Sequence, residues 1–312
     1  MMEDAAADEG LLQSKSSLRD RLESTLPLDD VVYVFGYGSG VFSQGTNDAE
    51  FKVVDVILVV RDSLAFHRAN LALNPSHYFV KSARWCRWIQ EHSLQTPWLT
   101  NPRLYFNVTP TLKYGVVSLD HLQDDLMHWK YLYIAGRLHK PTVRILETPA
   151  SNVTELQEQH NLPTALAAAL LLQDESDHAD PSMLFGQIAA LSYTGDPRVA
   201  AGAEDPDKIA KLVENQGRWK RLYEPIRREH FSSLVSDQWE WESQNPLARR
   251  ELQERLPWTS FCGDSRAGLT RKLSSIVGPA ARYQSMKGFV TAGPRTSLQY
   301  AYRKLSKGLL RR

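Results

Sequence analysis

The stretch YVFGYGSGVFSQ (33–44) decides how this chain is read. A β-branched and aromatic run, 31–35, ends in three glycines within five residues, with Ser39 between the last two. A second apolar run, FKVVDVILVVRD (51–62), carries one carboxylate, Asp55, in its interior. Continuous runs of this kind predict strands buried on both faces. Glycines after a strand allow a sharp turn and close backbone approach to a ligand. A helix opening at Ser39 or Gly40 would add free N–H groups and a hydroxyl for an anion. For the glycines alone, a plain tight turn is the first reading. The spacing is neither GxxxxGK[ST] nor GxGxxG. Asp55 adds weight, because a carboxylate inside an apolar strand is costly unless it is paired or holds a metal. The combination suits nucleotidyl transfer: Gly38, Ser39 and Gly40 on nucleotide phosphates, Asp55 on Mg²⁺. Two residues to either side, Val53 and Ile57 carry no second carboxylate. Asp62 and Asp120 are the candidates for that role.

Working outward, RLYFNV (103–108), LKYGVVS (112–118) and KPTVRILE (140–147) predict further strands, and SLAFHRANLAL (63–73) a helix broken by Asn74-Pro75. Ser118 is a plausible helix cap, with Asp120 in the first turn. The first half is therefore mixed α/β. Beyond Glu147 the segments NLPTALAAALLLQDE, DPSMLFGQIAALSY and DPDKIAKLVENQGRWKRLYEPIRREH all predict helix, several with Pro near the start. The expected organisation is a disordered N-terminus (1–22), a mixed-sheet domain (23–148), a mainly helical domain (149–264) and a basic tail (265–312).

Lys113 sits amid apolar strand neighbours, so its ammonium needs a phosphate or a core acid. Asn107 is a similar polar residue in a strand. Arg137, His139 and Lys140 gather at a helix end, where they could clamp an anionic substrate. In SYTGDPR (192–198), Gly-Asp-Pro reads first as a turn, in which Asp196 and Arg198 pair. No HExxH or GxSxG occurs, so zinc-protease and α/β-hydrolase chemistry lack support.

The formal net charge is +1, but residues 265–312 hold eleven Lys or Arg and no acid, leaving 26 basic and 36 acidic residues before them. This asymmetry points the tail toward an anionic surface. On a helix, Leu298, Tyr302, Leu305 and Leu309 share one face, while Arg303, Lys304, Lys307 and Arg311 cover much of the rest. The expectation is a membrane-lying amphipathic helix. Two distant cysteines, Cys86 and Cys262, argue against a zinc site. The opening MMEDAAADEG is neither a secretory signal nor an Arg-rich transit peptide.

Seven stretches taken in order resemble the mitochondrial CDP-diacylglycerol synthases, the Tam/Mmp-type phosphatidate cytidylyltransferases: FGYGSGVFSQ, VDVILVV, HRANLALNPSHY, KYGVVS, WKYLYIAGRLHKP, LSYTGDPR and SSIVGPAARYQSMKGFVTAG. The resemblance implies a nucleotidyltransferase-like mixed-sheet domain followed by a smaller winged-helix-like domain. It implies Mg²⁺-dependent transfer of CMP from CTP to phosphatidic acid, feeding phosphatidylglycerol and cardiolipin synthesis. The implied address is the matrix face of the mitochondrial inner membrane, bound peripherally; without a visible presequence, the cytoplasmic face of a bacterial membrane is the alternative. Ser39, Asp55 and Lys113 would then be catalytic, with Asn107 and Arg137 joining the glycines on the nucleotide. The rival readings are a non-catalytic membrane adaptor and a nucleotidyltransferase acting on RNA. Nucleic acid is not expected, because the basic charge is concentrated at one terminus.

Overall fold

A computed structural model describes residues 15–42, 53–173, 181–200, 202, 207–241, 245–258 and 265–292. The strands β1 (Val31–Tyr37), β2 (Val54–Val60), β3 (Tyr105–Val108), β4 (Leu112–Ser118) and β5 (Val143–Glu147) make one sheet, ordered β3-β4-β2-β1-β5. β2 runs parallel to β4, and the other neighbours are antiparallel. The β-branched runs fall at the centre of this sheet because both its faces are covered. In β2 every residue is buried except Asp55.

Helix α1 (15–25) and α3 (Ser63–Leu73) cover one face. Leu18, Leu22 and Leu26, with Phe66, pack there on Val34, Val56, Leu58, Val116 and Ile145. This corrects the expectation of disorder for 15–22. The acidic composition of the first residues hid a leucine stripe at a spacing of four, which is enough to bury a helix face. Between β1 and β2 lies the single turn α2 (Ser39–Phe42), and α4 (Ala83–Glu91) flanks β3.

The other face carries α5 (Leu119–His128), α6 (Ala135–Leu138), α7 (Val153–Leu156), α8 (Leu162–Leu172), α9 (Pro181–Leu191), α10 (Pro197–Ala200), α11 (Lys208–Val213), α12 (Gln216–His230), α13 (Pro246–Glu254) and α14 (Arg266–Ala292). Every residue of α8 is buried, which explains its lack of a polar face. One continuous core joins Phe35, Ile57, Val59 and Val117 of the sheet to Leu166, Ile188, Tyr223 and Leu273 of the helices. The change of character near 148–153 marks the end of β5 and the start of α7. Among the described residues no strand follows β5. Residues 266–292, expected as part of a basic tail, form one helix whose Leu269, Leu273, Val277 and Ala280 are buried in the body. The amphipathic segment 296–312 lies outside the described residues.

Candidate active site

Strand register brings the sequence candidates together. Tyr37 of β1 lies opposite Asp55 of β2, and Asp55 lies opposite Lys113 of β4. All three stand at the same end of the sheet, where β1 finishes and the parallel pair begins. Lys113 Nζ donates to Asp55 Oδ1 at 2.9 Å, and both side chains remain about a third exposed (27% and 31%). An ion pair that wet contributes little stability, yet it leaves a carboxylate and an ammonium accessible side by side. Phe106 sits below, its ring centroid 4.8 Å from the ammonium.

The glycine turn forms the rim. Gly38 has φ +77°, a conformation that side chains disfavour. A Cβ on Gly40 would stand 2.7 Å from the backbone oxygen of Val53, so α2 can approach the start of β2 only with glycine there. Ser39 is the first residue of α2.

Arg137 closes the opposite side. Its guanidinium lies 5.1 Å from the Tyr37 ring and 4.3 Å from the Tyr133 ring. Burial works to raise the Tyr133 hydroxyl pKa, yet Arg137, Arg198 and Lys113 together bring it below its ordinary value. Three cations therefore act on one buried hydroxyl. Burial likewise raises the Tyr37 pKa, against the pull of Lys113 and Arg137. The Tyr37 hydroxyl itself is buried.

A buried carboxylate builds the loop that carries Arg137. Asp125 accepts backbone N–H groups from Tyr131, Leu132, Ile134 and Ala135 at 2.8–3.1 Å. The SYTGDPR turn is held the same way: Asp196 accepts from the Arg198 backbone and takes its guanidinium at 2.6 Å. Lys140 bridges the two loops, donating to the Gly136 carbonyl and to Ser192 Oγ at 2.6 and 2.7 Å. Burial first, then the charges of Arg137 and Lys208, hold the Lys140 amine well below its usual range.

The structure places three sets of candidates apart from this cluster. Asn107 pairs with Tyr114, one position off Lys113, so it faces the other side of the sheet toward Tyr78. Its amide is buried there. His139 turns into the core, where its Nε2 lies 2.8 Å from Asn161 Oδ1; burial first, then Lys140, push its pKa down to about 3. Of the three residues at this helix end, only Arg137 lies against Tyr37 and Tyr133. Asp62 and Asp120 follow the far ends of β2 and β4, roughly 20 Å from Asp55 at 3.3 Å per residue. Asp62 is engaged as the N-cap of α3. Sequence reasoning missed Tyr37 and Tyr133. The signal for Tyr37 was its place as the last residue before the glycines.

Among the described residues no three His, Cys, Asp or Glu side chains group as a metal cage. Asp55 offers an accessible hard oxygen donor at this edge. The arrangement can hold a polyanion: one carboxylate for a cation, and Lys113, Arg137 and Arg198 for phosphate charge.

A family model described as mitochondrial phosphatidate cytidylyltransferase matches residues 20–261. The chain is similar to the protein of that name from Xenopus laevis, with 34% identity over 93% of this chain and 94% of the relative. The Caenorhabditis briggsae protein of the same name is 32% identical, over 92% of this chain and 97% of its own length. The Saccharomyces cerevisiae one is 32% identical, over 89% of this chain and 67% of its own length.

Proposed function

The chain belongs to the mitochondrial phosphatidate cytidylyltransferase family, and from that premise we propose that the site around Asp55 transfers CMP from CTP to phosphatidate. The observation that carries this reading is the convergence of the Asp55–Lys113 pair with Tyr37, the register neighbour of Asp55, and with the Arg137 guanidinium over the Tyr37 and Tyr133 rings. The second pKa of a phosphate monoester is about 6, so near neutral pH the phosphatidate oxygen is already a nucleophile and no general base is needed. That oxygen bonds to the α-phosphorus of CTP. The bond from the α-phosphorus to the oxygen bridging it to the β-phosphate breaks, and pyrophosphate leaves with the electron pair. Repulsion between two anions is the main obstacle, and positive charge with positioning overcomes it.

Each residue has a part. The Gly38-Ser39-Gly40 backbone approaches the triphosphate; Lys113 and Arg137 neutralise charge on the leaving pyrophosphate. Arg198, fixed by Asp196, adds to this charge, and Lys140 ties the Arg137 loop to Ser192. Mg²⁺ fits Asp55, since this ion usually takes one or two carboxylates and completes its shell with phosphate oxygens and water. When bound, it supplies charge neutralisation on the phosphates. A nucleotidyltransferase-like origin for the sheet agrees with this use of its edge.

Attachment is proposed at the matrix face of the inner mitochondrial membrane, as a peripheral protein, with residues 296–312 lying on the anionic surface. In support, the relatives are named mitochondrial, and among the described residues no helix is long and apolar enough to cross a membrane. Purified chain incubated with labelled CTP, Mg²⁺ and phosphatidate in detergent should give labelled CDP-diacylglycerol and an equal amount of pyrophosphate. Folded chain that binds CTP yet yields no labelled lipid would overturn the reading.

A further inference from the structure

The aromatic surface at the β3 edge of the fold lies outside the site. Of the eight tryptophans in the chain, three are exposed: Trp85 (59%), Trp88 (55%) and Trp98 (74%). They form one patch. Trp85 and Trp88 meet edge to face on α4 with centroids 5.5 Å apart. Trp88 stacks on His92 at 4.5 Å, and Tyr283 of α14 reaches His92 Nε2 at 2.6 Å. The next residue, Arg282, donates to the Trp98 carbonyl at 2.8 Å and lies 5.8 Å from its ring. Beyond Arg282, Met286, Phe289 and Val290 follow at spacings of four, three and one on the outer side of α14, each at least half exposed.

We propose that this patch is a membrane-docking surface that seats the folded body on an anionic bilayer. The inference rests on the lipid substrate assigned under Proposed function. Large exposed apolar patches mark interaction sites rather than ordinary surface. Tryptophan is the residue that prefers the headgroup level, its ring amphipathic and its N–H wet. Charge selects the occupant. Lys81, Arg84 and Arg87 are exposed on and beside α4, Arg282 lies between α14 and Trp98, and Glu91 is the one acid on α4. An isologous dimer through this patch would set those cations against their own copies, whereas an anionic surface attracts each of them. α14 also links patch and site. A Cβ on Gly195 would stand 2.7 Å from Ser274 Cα, so that turn packs closely on α14, and Ser274 to Phe289 is about 22 Å of helix at 1.5 Å per residue. The chain after Ala292 continues from the same end with further basic residues and no acid.

The test uses the full chain and its W85S/W88S/W98S variant. Partition into vesicles of phosphatidylcholine with phosphatidylglycerol is read by sedimentation and by the blue shift of tryptophan emission. The intact chain should bind, shift its emission and lose both on salt addition. The triple variant should bind roughly tenfold more weakly or worse, in proportion to the aromatic area removed from the interface, with unchanged circular dichroism. Its turnover on short-chain soluble phosphatidate should stay at the intact level. Binding equal to that of the intact chain would overturn the inference, leaving attachment to other segments. A variant that instead loses dimers in light scattering would make the patch an interface between copies, which also overturns it. If the intact chain binds vesicles but makes no lipid product in detergent, the functional reading fails independently of the patch.

Discussion

At the scale of residues, the charged groups inside apolar strands were the legible ones. Asp55 and Lys113 stand out in sequence because hydrophobic neighbours make an unpaired charge expensive, and they meet at 2.9 Å. Whether Asn107 shares their face depends on the β3–β4 register, which no local pattern specifies; one position of offset sends it to the other side. Asp55→Asn should lower turnover by at least ~100-fold, several kcal/mol of transition-state stabilisation. Its melting temperature should change little, because so exposed a pair contributes at most about 1 kcal/mol. Lys113→Met should follow the same pattern, read as turnover against a thermal melt. A large loss of stability with normal specific activity would make the pair structural. Asn107→Ala, in contrast, should leave turnover within about twofold and change stability alone, since a buried side-chain truncation acts through packing.

At the scale of elements, the helices after Glu147 and the central strands followed their periodicity, whereas the loops that carry the cations did not announce themselves. The segment WKYLYIAGRLHK looked like the continuation of a helix. It breaks at Trp129, which adopts a left-handed backbone (φ 48°), and again at Leu132 (φ 50°). Asp125 is the cause, because its carboxylate gathers four backbone N–H groups and folds the chain around itself. A single acid in an amphipathic helix carries no sequence mark of that role. Asp125→Ala leaves those four donors buried without an acceptor and should destabilise the protein by about 3–5 kcal/mol, as for a broken buried charge network. Urea denaturation measures it. Arg137 loses its position with the loop, so residual folded enzyme should show a raised KM for CTP. A loss below about 1 kcal/mol would mean that the loop is held by its other contacts. On the rim, Gly40→Ala should impair CTP use more than Gly38→Ala. The first forces α2 away from β2, while the second meets open space and carries only the strain of its positive φ, about 1–2 kcal/mol.

At the scale of the whole molecule, the sheet ends at Glu147 and helices follow from Val153, but a shared core is a tertiary fact that composition does not carry. Because Phe35 and Ile57 belong to the same apolar cluster as Leu166 and Tyr223, sheet and helices should unfold in one transition. Two buried histidines then report on that transition from different sides. His67, on α3 facing α4, has its pKa pushed down to about 4, chiefly by burial against the smaller opposing effect of its hydrogen bond to Gln90 Oε1. His139, between α6 and α8, is pushed down to about 3. Both are neutral in the folded protein and take up a proton on unfolding below their ordinary pKa of about 6.5. The unfolded state therefore binds more protons in acid. The stability from keeping these rings neutral is fully present above pH 6.5 and is lost as pH falls toward 4. Each histidine should add about 1.4 kcal/mol per pH unit to that slope, so the pair adds about 2.7 if unfolding is a single step. Urea denaturation at pH 7, 6 and 5 gives the slope, and His139→Gln, also uncharged in the fold, should lower it by about one proton. If the slope instead splits between two separate transitions, one losing only the His67 part, the sheet and the helical half unfold independently and the shared core does not couple them.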